Sequence, residues 1–346
     1  MGYFSEKKDE DICLFDNVPV VFSDAPTINE GLLYARNFVQ EIFGFLHMPS
    51  VLVDVYGYKE NDINGVAYKE NDRYIIAISS GAFIRIHQWF ETWCTSPELQ
   101  KILNYAPEEK RQCIANLYKW CIKYMIAHEL FHVLNGHCDI PANKEHFISD
   151  TPILEKQELN RFEQILEFDA DRAATRTCLY EIIKNSIDSK ATIEQFEKET
   201  VLFSFAIYNL FMIFNGSSHA NFDEYMNHGV FNKRHPHDGV RFSYSVAFIT
   251  QALVNLFSNQ TVVRSFLLKI TDSCILFEKK VVGSETLKHC LFSPSYTYKG
   301  AQHIMNLNNH WEDVSKLLEP YALIALAETE YLDALPVFVS DSGDFL

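Results

Sequence analysis

The sequence predicts an α+β protein, mostly helical, with a small antiparallel sheet near its N-terminus. Three observations carry this. Period-two alternation of apolar residues is confined to Val51 through Ser79. After Gly81 the helical spacing persists for most of the chain. Finally, 47% of the 346 residues are hydrophobic, with 27 Phe and 17 Tyr in the chain, enough for a large core and incompatible with a disordered or fibrous protein.

Taken in order, Pro26 to Met48 carries apolar residues at helical spacing, and Val51 to Tyr58 alternates as a strand. Ile63 to Tyr68 and Arg73 to Ser79 are two further strands around the turn-forming cluster Glu70-Asn71-Asp72. Pro107, Glu108 and Glu109 make a first turn, and an apolar-rich helix runs from Arg111 to a glycine stop at Gly136. Cys138 to Lys156, with Pro141 and Pro152, reads as a loop. Gln157 to Asn185 is a second long helix, with Leu159, Phe162, Leu166, Ala170, Ala173 and Cys178 at apolar positions. Thr192 and Gln195 form a capping box that opens a third helix, through Phe214.

Lys and Arg number 30 against 46 Asp and Glu, a formal net charge of -16, which disfavours nucleic acid and anionic lipid as partners. The longest apolar run, Val201 to Phe214, would rise roughly 21 Å as a helix against a hydrocarbon core of about 30 Å, so no membrane span is expected. The N-terminal residues show no secretory pattern, and Glu6 stands where a myristoylation signal wants Ser or Thr. The eight cysteines have no CxxC spacing and read as reduced core thiols of a cytoplasmic protein. The acidic stretch from Glu328, with Asp333, Asp341 and Asp344, reads as a solvated end.

The chemistry concentrates in His128-Glu129-Leu130-Phe131-His132. Two imidazoles four residues apart share a helix face and can reach one zinc ion, and the intervening carboxylate suits a general base acting on water. Because Tyr124 to Ala127 before the motif and Val133-Leu134 after it are apolar, these polar groups would be buried and require partners. Two residues compete for the third ligand. His137 follows Gly136 closely, but the metzincin spacing HExxHxxGxxH is out of register, and His137 suits a cation at the helix C-terminus. Glu167 lies on the next long helix, sharing a face with Asp171; one carboxylate could bind metal while the other accepts a ligand N–H, with Asp169 directed elsewhere.

HExxH followed by a helix bearing ExxAD resembles the gluzincin metallopeptidases, in particular the HtpX-type and CAAX prenyl proteases. The resemblance implies a zincin-like fold, His128, His132 and Glu167 as zinc ligands, Glu129 as base and Asp171 as the orienter of a ligand histidine. His235-Pro236 with Arg241 is similar to the HP-x4-R element of that family, which implies that His235 stabilises the oxyanion and Arg241 holds its loop. Unlike the membrane members, this chain has no transmembrane helices in its sequence pattern, and in that respect it also resembles the Lit-type phage-exclusion peptidases, bacterial cytosolic proteases acting on a host translation factor.

The expectation is therefore a zinc endopeptidase acting on an intracellular protein or peptide. It forms one catalytic unit with a soft boundary between residues 1–150, bearing the sheet and the HExxH helix, and residues 151–346, helical and bearing Glu167. Arg73 to Ser79 is the expected edge strand for substrate pairing. The alternative keeps the metal and discards catalysis: a zinc-stabilised helical regulator on a protease scaffold.

Overall fold

The computed structural model describes residues 14–18, 23–48, 51–140, 152–214, 225–227, 229–283 and 290–329, with the backbone alone for 152–155. Cys13, the N-terminal signal positions, most of the expected 138–156 loop and the acidic residues beyond 329 lie outside the described residues. In chain order the elements are β1 (Leu14–Phe15), α1 (Ala25–Leu46), β2 (Val53–Tyr58), β3 (Gly65–Glu70), β4 (Arg73–Ser79), α2 (Ser80–Trp93), α3 (Pro97–Leu103), α4 (Lys110–Leu134), α5 (Pro152–Asp188), α6 (Ile193–Phe214), α7 (Asp238–Leu256), α8 (Gln260–Phe277) and α9 (Tyr298–Leu318). The mostly helical α+β expectation holds, and α5 begins at Pro152, earlier than the sequence pattern placed it.

The sheet is mixed, a correction to the antiparallel expectation: its order is β1-β2-β4-β3, and β2 pairs parallel with β4. The turn Asn71-Asp72, with Asn71 left-handed at φ 54°, returns β4 antiparallel to β3, placing Glu70 opposite Arg73. Burial explains the order. In β4 every residue from Tyr74 to Ser79 is buried, so it needs neighbours on both edges and cover on both faces, whereas β3 ends in exposed Lys69 and Glu70 and suits an edge.

α4 is buried nearly all round, with no break in burial from Trp120 to Phe131. A helix without a solvent face belongs at the centre, and α1, α2, α5, α6 and the β3–β4 hairpin surround it. Its end is set by Gly136, whose φ of 81° reverses the chain; a Cβ there would sit 2.6 Å from the Tyr321 carbonyl carbon. Leu323 N donates to the free Leu134 carbonyl at 2.8 Å, so the segment after α9 closes this helix end. The capping box of α6 forms as expected: Gln195 N donates to Thr192 Oγ1 at 3.2 Å, and Thr192 N donates to Gln195 Oε1 at 2.8 Å.

The principal core draws on both sides of residue 150, from Ile28 and Phe83 through Trp120 to Phe205 and Phe277. A second cluster, including Phe168, Tyr244 and Trp311, fills the space between α5, α7 and α9. Among the described residues, seven cysteines are free thiols, six of them buried. Among the described residues, no helix is long and apolar enough to cross a membrane.

Candidate metal centre

α4 and α5 lie against each other, and three side chains converge between them. His128 and His132, one turn apart on α4, approach each other through their Nε2 atoms at 3.1 Å. Glu167 on α5 reaches both, with Oε2 at 3.3 Å from His128 Nε2 and Oε1 at 3.5 Å from His132 Nε2. Two facing imidazole nitrogens and a carboxylate could hold a metal ion. Tetrahedral coordination with bonds of 2.0–2.1 Å separates neighbouring donors by about 3.3–3.4 Å, and the three observed separations bracket that edge.

Each histidine is backed by a different carboxylate. His128 Nδ1 lies 2.8 Å from Asp171 Oδ1, a contact bent from the N–H direction. Asp171 is fully buried and also accepts from Tyr124 Oη at 2.9 Å, from Arg241 Nε at 2.7 Å and Nη2 at 2.8 Å, and from Tyr244 Oη. His132 Nδ1 lies 2.9 Å from His137 Nδ1, and His137 Nε2 lies 3.2 Å from Asp169 Oδ2. Asp169 in turn accepts from Asn135 Nδ2 and pairs with Arg172. His137, expected as a cation near the helix end, lies with its side chain 3% exposed against His132, and Asp169, expected to point away from the Glu167–Asp171 face, meets Asn135, His137 and Arg172 and not the three converging donors. The left-handed Gly136 is what folds His137 back.

Glu129 faces the sheet. A Cβ on Gly65 would lie 2.8 Å from Glu129 Oε1, so the first residue of β3 leaves room for this carboxylate. Gly65 to Tyr68 and the metal-site residues line one cavity of about 890 Å³, together with apolar groups such as Met125, Leu210 and Phe214. The strand beside the cleft is thus the edge strand β3; Arg73–Ser79, the expected substrate strand, is interior, flanked by β2 and β3.

His235 enters from the loop before α7, its Nδ1 3.2 Å from Glu167 Oε2 and its side chain 60% exposed to the cleft. α5 holds this loop from behind: Gln164 Nε2 donates to the Val230 and Lys233 carbonyls at 2.9 and 2.7 Å, and Asn160 Nδ2 to the Phe231 carbonyl at 2.7 Å. His303 Nε2 meets Gln164 Oε1 at 2.7 Å. Arg241, expected to hold the His235 loop, instead forks its guanidinium onto Asp171, with Nη2 also 3.4 Å from Glu167 Oε2.

The electrostatics sort these groups by role. Burial disfavours charge on His128, but Asp171 and Glu167 outweigh it and raise its pKa to about 10. Burial keeps His132 neutral, its pKa well below the ordinary value. Burial would raise Glu167, yet His235 and His128 hold it well below the carboxylate range. The Glu129 carboxyl is pushed up to about 7 by burial, with His128 opposing and Glu167 adding to the rise. His235 is raised chiefly by the adjacent Glu167 charge.

Sequence reasoning missed Asp169, Gln164, Tyr124, Tyr244 and Gly65. Tyr244 lies three residues after Arg241, a spacing that shares a helix face, but nothing in the sequence joins it to Asp171. Compared with protein families, with curated proteins and with solved structures, the chain finds no match in any of the three.

Proposed function

We propose that this chain is a zinc-dependent endopeptidase. The observation that carries the reading is the convergence of His128, His132 and Glu167 beside a base-like Glu129 that faces an edge strand across a cleft. The two-nitrogen, one-oxygen donor set suits zinc and leaves a coordination position for chemistry. Zinc bound there would supply Lewis-acid activation of water and of a peptide carbonyl.

The chain's own residues supply the rest. An extended peptide pairs with β3, an edge strand among the described residues, whose Gly65 to Tyr68 line the cleft. Glu129 accepts a proton from the attacking water and returns it to the leaving amine nitrogen. His235, exposed in the cleft beside Glu167, donates to the carbonyl oxygen as charge develops on it. Arg241 and Asp171 act behind these groups by fixing Glu167 and His128. The substrate is a protein or peptide; the acidic chain, at net -16, suits no polyanion.

Metal analysis of wild type beside Glu167→Ala tests the site, with one zinc per chain expected in wild type and much less in the variant. Glu129→Gln should keep zinc and abolish peptide cleavage. Zinc fully retained in Glu167→Ala would refute the ligand set. Cleavage undiminished in Glu129→Gln would refute the base, and zinc with no cleavage of any peptide by wild type would leave the regulator alternative.

A further inference from the structure

We propose that His137, anchored by Asp169, is the positioning residue of His132 and plays for that ligand the part that Asp171 plays for His128. The inference rests on the metal-site half of the proposed function and goes beyond it, because neither HExxH nor ExxAD includes His137 or assigns Asp169 a task.

The proton accounting runs along one buried line. Arg172 pairs with Asp169 and is itself 1% exposed, so Asp169 carries a charge that can only accept. His137 Nε2 lies 3.2 Å from Asp169 Oδ2, a contact bent from the N–H direction as that of His128 with Asp171 is, and with Nδ1 turned to His132 it is the nitrogen left to bear the proton beside that charge. That leaves His137 Nδ1 as an acceptor, 2.9 Å from His132 Nδ1. His132 must donate through Nδ1, which frees its Nε2 lone pair toward His128 and Glu167. The relay selects the tautomer that a ligand needs and fixes the ring plane. It also separates His137 from the ligand role: the nitrogen that touches His132 does so on the side of that ring away from Glu167.

The far end of the relay is anchored as well. The Arg172 guanidinium stacks 4.6 Å over the Trp311 ring and donates through Nη1 to the Glu328 carbonyl at 3.1 Å. Trp311 Nε1 donates to the Ala327 carbonyl at 2.7 Å. A ligand on α4 is thus held in line by the segment that follows α9.

Zinc affinity, read by chelator competition, tests the role in wild type, His137→Ala, His137→Phe and His137→Gln. Glutamine offers a carbonyl oxygen to His132 and an amide N–H to Asp169, whereas alanine and phenylalanine offer neither. Expected is one zinc at saturation in all four proteins, about 10- to 100-fold weaker binding in the Ala and Phe variants, and recovery of most of the loss in Gln. Equal affinity in all four would overturn the proposal, and so would failure of all three variants to reach one zinc per chain, which marks a direct ligand. Should the Ala and Phe variants not fold, nitrogen NMR of zinc-loaded wild type decides: a coupling across the His132 Nδ1–H···Nδ1 His137 bond is expected, and its absence overturns the assignment. Wild type that binds no zinc would remove the proposed function and the relay together, whereas tight zinc binding insensitive to His137 removes only the relay.

Discussion

Asp171→Asn attacks the buried carboxylate on which Tyr124, Tyr244 and Arg241 converge. The carboxylate takes three protein donors, Tyr124, Tyr244 and the two-pronged Arg241, besides facing His128, and its side chain is 0% exposed. An asparagine keeps one acceptor oxygen but turns an N–H₂ toward partners that are all donors, so either the Arg241 side or the His128 side meets donor against donor. The variant also strips Arg241, 10% exposed and stacked 4.9 Å over Phe211, of its principal counter-charge, leaving Glu167 at 3.4 Å as its remaining close ion pair among the described residues. Removing one partner of such a pair costs about 3–5 kcal/mol, a large share of the roughly 5–15 kcal/mol that a folded chain has in hand. Urea unfolding of the metal-free protein should show the midpoint falling with unchanged slope. Asp171→Asn combined with Arg241→Met should recover part of the loss, since no guanidinium is then stranded. A loss below about 1 kcal/mol for the single variant would refute the claim that Arg241 depends on Asp171.

Two further outcomes follow from the same geometry. Gly65→Ala puts a methyl 2.8 Å from Glu129 Oε1 and 3.2 Å from Ile78 Cδ1, so Glu129 must move; cleavage should fall about 100-fold at unchanged zinc content, and unchanged kcat would show that Glu129 does not work from this position. Above about pH 7 the stability of the metal-free protein should decline as pH rises, because His128 and His235 bind protons more tightly folded than unfolded, the His128 contribution being lost from about 6.5 through about 10; the depressed His132, Glu167 and Asp171 carry the opposite sign, but only below about 6.5. A stability that rises across pH 7–9 in chelator, followed by urea unfolding at fixed pH, would contradict that sign.

How much of this was legible beforehand follows from the range of each signal. The three residues that could hold a metal ion were readable because His128 and His132 sit at i and i+4, and because Glu167 and Asp171 repeat that spacing. Helix limits were readable where a local device sets them, as at Thr192–Gln195 and Gly136. Strand order was not: three short alternating runs fit several sheets, and only the two-sided burial of Tyr74 to Ser79 makes β4 interior. Helix periodicity rightly separates Asp169 from Glu167, but its contact with His137 was not legible, because His137 arrives through a left-handed turn and not along α4. Gln164 looked like any polar helical residue, since the carbonyls it binds lie 66 and 69 positions away.

Asn160, Gln164 and Glu167 occupy one helix, and two of them grip the loop that delivers His235 to the third. Mechanically, α5 and that loop form a single jaw, and α4 with the β3 edge forms the other. Any opening of the cleft by movement between the helices carries His235 and Glu167 together, so their 3.2 Å contact survives while the distances to His128 and His132 stretch. Opening of the cleft and separation of Glu167 from the two α4 histidines would then be one motion.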